Sequence, residues 1–65
     1  MSLELTPEGQ RAYALLAWAQ QDPEANGAEA QRLMDDLVRP LLGTGSQALR
    51  EVQDAGKMLH RLASG

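Results

Sequence analysis

The 65-residue chain has no cysteine, one histidine, and Tyr13 and Trp18 as its only aromatic residues. Without cysteine there is no disulfide framework, no thiolate zinc site and no cysteine nucleophile. His60 alone cannot build a histidine-rich metal site. Long apolar runs are also missing: the longest, Ala12–Ala19, has eight residues, far short of the roughly 20 needed to span a bilayer. Met1-Ser2-Leu3-Glu4-Leu5 lacks the basic and apolar regions of a signal peptide, so a cytoplasmic location is expected. No stretch alternates apolar and polar residues with period two, which excludes a sheet.

What is present is helical patterning over one small domain, residues 1–65, with residues 1–5 expected to be a flexible N-terminus. Thr6-Pro7-Glu8 is a strong helix start. Thr6 can cap, Pro7 lacks an N–H where none is needed, and Glu8 suits the positive helix end. Ala12, Leu15, Leu16 and Ala19 then recur at helical spacing, flanked by Tyr13 and Trp18, which predicts a helix over 6–21.

Asp22-Pro23 and Asn26-Gly27 both read as turn signals, so Gln21–Gly27 is expected to be a connection. Asn26 with Glu29 three residues on then has the spacing of a capping box. A second helix, 27–42, follows from Ala30, Leu33, Met34, Leu37, Val38 and Leu41. Asp35 and Arg39 are spaced to pair on its outer side. Pro40 removes one helical hydrogen bond, so the helix either kinks there or stops near Arg39 with one loose turn after it.

The third helix, 46–63, starts at Thr44 or Ser46; Thr44-x-x-Gln47 has capping-box spacing. Ala48, Val52, Ala55, Leu59 and Leu62 form a heptad seam, flanked by Leu49, Gly56 and Ala63, with Gly56 letting neighbouring backbones approach. The expected architecture is an all-α three-helix protein: an antiparallel hairpin of 27–42 and 46–63, with helix 6–21 packed on it.

A chain this small usually needs a partner or very regular packing for stability. Residues 1–36 carry seven acids against Arg11 and Arg32, whereas residues 37–65 carry four cations against Glu51 and Asp54. That asymmetry suits contacts between copies, and a symmetric homodimer is expected.

Motif readings are few. "LLGTGSQA" (residues 41–48) matches G-x-G-x-x-A, but no further strands or βα units accompany it, and no acid lies beyond Asp54 to meet a ribose; a dinucleotide site is excluded. "LGTGSQALRE" resembles the serine loop of acyl carrier proteins. That resemblance fails where the family's Asp-Ser-Leu triplet is replaced by Gly45-Ser46-Gln47. "AQQDPEANGAEA" is similar to the turn between tetratricopeptide units, of which one alone is no fold. The glycines therefore read as punctuation: Pro40, Gly43 and Gly45 form a hinge, with a positive φ at Gly43 or Gly45.

No acid–base constellation suggests an enzyme. Glu51 and Asp54 are spaced to share a proton, but they read as lying beside cations on a polar face, and His60 reads as exposed. No cofactor is expected. The expected function is protein binding by a small regulator, inhibitor or chaperone-like subunit. Tyr13, Trp18, Met34 and Met58 are the candidate apolar contacts with an unidentified protein partner. Arg50, Lys57 and Arg61 lie within about 40° on the helical wheel and form a basic stripe. The stripe is interrupted by Asp54, which is spaced to pair with Arg50 and Lys57. The alternative is a nucleic-acid-binding helical dimer that uses this stripe.

Overall fold

A computed structural model describes residues 4–64, apart from the side chain of Ala63. Three α-helices, each packed on the other two, make the fold: α1 (Pro7–Gln21), α2 (Pro23–Val38) and α3 (Gln47–Ser64). Among the described residues there is no strand, and no helix is long and apolar enough to cross a membrane. Expectations for Met1–Leu3 lie outside the described residues.

α1 begins as its sequence dictates. The Thr6 hydroxyl accepts from the Gly9 N–H at 3.1 Å, and Pro7 occupies the first turn. The next boundary corrects the sequence reading. Residues 21–27 are not a connection; Asp22 alone separates α1 from α2. Asp22 leaves helical geometry (φ −154°, ψ 85°), and its carboxylate accepts from the Ala25 N–H at 3.3 Å. Pro23 fills the first helical position, where no N–H is required. Asn26 is therefore no cap for α2. Its side-chain amide instead donates to the Trp18 carbonyl at 3.0 Å, satisfying an acceptor that the end of α1 leaves open. The local Asn-Gly turn preference yields to a cap that already lies upstream.

α2 ends at Val38, and Arg39–Leu41 add a single 3-10 turn. Of the two outcomes Pro40 permits, the structure takes the loose turn. The Leu42 N–H donates to the carbonyls of Val38 (3.1 Å) and Arg39 (3.3 Å), closing that turn. Gly43 (φ 82°) and Gly45 (φ 63°) both take left-handed backbone angles, which glycine adopts at little steric cost. Ser46, not Thr44, caps α3: its hydroxyl oxygen accepts from the Leu49 N–H at 3.3 Å. Thr44 instead donates to the Leu41 carbonyl at 2.6 Å and so ties the turn together. The Thr44–Gln47 capping box is not formed, because the Gln47 amide is turned to Glu51.

The core is thin. Ala12, Leu16 and Ala19 of α1 meet Ala30 and Met34 of α2 and Val52, Ala55 and Leu59 of α3. Four of these eight are alanines, which let helices approach closely while each buries little apolar area. The heptad seam of α3 faces inward as expected: Ala48, Val52, Ala55 and Leu59 are buried and Leu62 is half-buried. Gly56 does not serve a backbone contact. The atom nearest to a Cβ built there is Cγ of Met34, at an ordinary 3.6 Å.

Candidate docking surfaces

A core dominated by alanine leaves large apolar side chains outside it. Leu5, Trp18, Leu42 and Met58 are 37, 37, 60 and 48% exposed. Of these, only Leu42 lines either of two interhelical grooves.

The first groove, about 410 Å³, runs between α1 and α2 and is lined by Arg11, Ala14, Leu15, Leu33 and Leu37. Arg11, Ala14, Leu15 and Trp18 follow the i, i+3, i+4, i+7 spacing of one helix face, so Trp18 lies on the same face of α1 as Leu15, outside the groove's lining. Arg11 supplies the one charged wall.

The second, about 680 Å³, lies between α2 and α3 and is lined by no α1 residue. Met34, Val38, Val52 and Gly56 contribute its apolar lining, together with exposed Leu42. Along α3 its wall is Gln53, Lys57, His60 and Arg61, and Asp35 is its one acid.

The sequence-predicted residues are thus divided. Trp18 and Met58 are exposed, whereas Tyr13 is half-buried against the core. Met34, expected among the docking residues, is only 5% exposed and belongs to the core; it meets the second groove as part of its lining. It packs in one cluster with four alanines, and a flexible methionine suits such irregular surroundings. Arg50, Lys57 and Arg61 are all exposed as one stripe on α3, but only Lys57 and Arg61 reach the groove. Pro40, Gly43 and Gly45 form the connection into α3.

The expected ion pairs are absent. Among the described residues the one pair is Arg32–Glu29, at 2.7 Å on the surface of α2. Asp35 does not pair with Arg39, nor Asp54 with Arg50 or Lys57. Long solvated side chains gain too little from such contacts to be held in one geometry.

Glu51 was misplaced by sequence reasoning. Far from sharing a polar face with Asp54, it is 9% exposed and points at the start of α1. Its Oε1 accepts from the Thr6 hydroxyl at 2.7 Å and the Thr6 N–H at 2.9 Å; Oε2 accepts from the Gln47 amide at 2.8 Å. The Thr6 hydroxyl contact holds the carboxyl below its ordinary value, against the opposing effect of burial; the Gln47 amide and the Thr6 N–H add to the lowering. Both oxygens of this carboxylate accept hydrogen bonds within the fold, and those from Thr6 make it a clasp between α3 and the start of α1. The available signal was Gly9: glycine in the first turn of a helix is unfavourable unless something needs the space.

No group of three or more metal-ligating side chains occurs among the described residues. Comparison of the chain with family models, curated proteins and solved structures finds no match.

Proposed function

We propose that this protein is a non-enzymatic protein-binding module, a small regulator, inhibitor or chaperone-like subunit that docks through an apolar helical face. The observation that carries this reading is the α1–α2 groove, lined by half-buried Leu15, Leu33 and Leu37; Trp18, 37% exposed, falls on the same face of α1 as Leu15 by helical spacing. Partly exposed aromatic and aliphatic side chains around a concavity suit a helical or extended partner segment. We further infer that α2 and α3 form an antiparallel hairpin on which α1 packs. The pairing of Gly56 with Met34, and of Leu62 with Pro23 and Gly27 around one cavity, supports this order. A symmetric cytoplasmic homodimer is part of the same reading, since a thin core gains stability from burial between copies.

Affinity capture from the native host with wild type, Trp18→Ala and Leu37→Glu tests the docking face. One stoichiometric protein retained by wild type and lost by both folded variants supports it; equal recovery by all three overturns it. Light scattering at two concentrations tests the dimer, which a constant monomer mass at high concentration rules out. The second reading, nucleic-acid binding, is favoured by Arg50, Lys57 and Arg61, which are exposed and in no ion pair among the described residues. It predicts a steep linear fall of log affinity with log salt, whereas apolar docking predicts a shallow one.

A further inference from the structure

We infer that the α2–α3 groove is a second docking site, and that its occupant is an acidic amphipathic helix of a partner protein. The argument rests on charge complementarity around an apolar floor. Val38, Val52 and Gly56 contribute the floor, together with Leu42, 60% exposed. Lys57 and Arg61 line the groove from α3, both exposed and neither in an ion pair among the described residues. Gln53 to Arg61 is a separation of eight residues along the helix, about 12 Å or roughly two turns. Apolar side chains at i, i+3 or i+4, and i+7 of a bound helix match that length. Glu or Asp on one flank of the helix would face Lys57 and Arg61, while Asp35 on the opposite wall disfavours an acid on the other flank. The charge arrangement therefore sets the partner's rotational orientation as well as its sign.

Nucleic acid fits this groove less well than an acidic helix. Phosphate contacts gain from many cations, whereas the groove offers two permanent ones around an apolar floor that a phosphate backbone would leave unfilled. The site shares no lining residue with the α1–α2 face, so the two proposals stand or fall separately.

The test uses the full chain and two labelled peptides of about 15 residues, long enough for marginal helix formation. Both carry leucines at helical spacing; one has a flank of Glu, the other of Lys. Fluorescence anisotropy should show saturable binding of the Glu peptide, tighter than the Lys peptide by about tenfold or more. Lys57→Glu combined with Arg61→Glu should reverse that preference, and both residues are exposed, so the core is untouched. Leu42→Ser should weaken the Glu peptide, and Trp18→Ala should leave it unchanged. Equal affinity for both peptides, no saturable binding, loss of binding in Trp18→Ala, or equally strong competition by a single-stranded oligonucleotide would each overturn the proposal.

Discussion

Gly9 of α1 and Glu51 of α3 occupy one space that a single methyl group would fill. A Cβ built on Gly9 would collide with Oε1 of Glu51 and come within 2.9 Å of its Cδ. Glu51 cannot easily move away, because Thr6 and Gln47 hold both its oxygens. The glycine is therefore the condition for the carboxylate clasp that ties the start of α1 to α3.

Gly9→Ala should destabilise the fold by about 1–3 kcal/mol, the usual cost of overpacking, despite alanine's better helix propensity. In denaturant unfolding, Gly9→Ala combined with Glu51→Ala should lose clearly less than the two single variants added together. Strict additivity would mean that the two residues are not coupled.

The same clasp predicts a pH dependence. The folded-state pKa of Glu51 is lowered from 4.5, so near that pH the unfolded chain binds more protons than the folded one, and stability from this group rises with pH. That stability is complete above the unfolded value and is lost as pH falls through the lower folded value. Thermal melts of wild type and Glu51→Gln should differ by a constant amount from pH 7 to about 5.5 and converge below about 4.5. A difference that stays unchanged down to pH 3 contradicts the clasp.

Gly27 tests where α2 begins. It lies inside that helix, with nothing within 4 Å of a Cβ built upon it. Gly27→Ala should stabilise by about 0.5–1 kcal/mol. Gly27→Pro should destabilise by about 3 kcal/mol, because the helix interior loses a hydrogen bond and gains a clash. Had the helix started at Asn26, proline at 27 would sit in the first turn and be tolerated; a stable Gly27→Pro protein therefore contradicts the Asp22 boundary.

Gly45 should respond in the opposite sense. Its surroundings are equally open, but its φ is 63°. Gly45→Ala should cost about 1 kcal/mol through backbone strain alone, and Gly45→Asn should cost less, since Asn adopts this region more readily. Equal stability of the Ala and Asn variants would mean that the left-handed angle at residue 45 is unimportant.

Asp22→Ala removes the cap of α2 and should cost about 0.5–1 kcal/mol, the low end for a cap, given a bond of 3.3 Å. Asp22→Asn or Asp22→Ser should recover most of this in chemical denaturation. Failure of both rescues would place the role of Asp22 elsewhere.

Much of the fold was legible because its signals are local. Thr6-Pro7, Pro40 and the two left-handed glycines act through backbone sterics and single hydrogen bonds, and the α3 seam follows from its 4-3-4-3 spacing. Where two local signals competed, the sequence reading went wrong: Asp22-Pro23 and Asn26-Gly27 each resemble a boundary. The choice falls to Asp22 because Asn26 is then free to satisfy the Trp18 carbonyl at the end of α1. The candidate surfaces were legible only in part. Spacing placed Lys57 and Arg61 on one stripe, but it could not show that Met34 would fill the core while Met58, of the same residue type, stays 48% exposed.

By itself the sequence determined three helices, the Thr6 cap of the first, and the exclusion of disulfide and thiolate chemistry, since periodicity and residue type act over a few residues at a time. Only the tertiary structure decided that Glu51 turns inward, that a side chain at residue 9 would meet it, and which apolar side chains are left outside. Those outcomes depend on how closely small residues such as Ala12, Ala19, Ala30 and Ala55 bring the helices together. That distance belongs to pairs of helices and is written in no one segment of the chain.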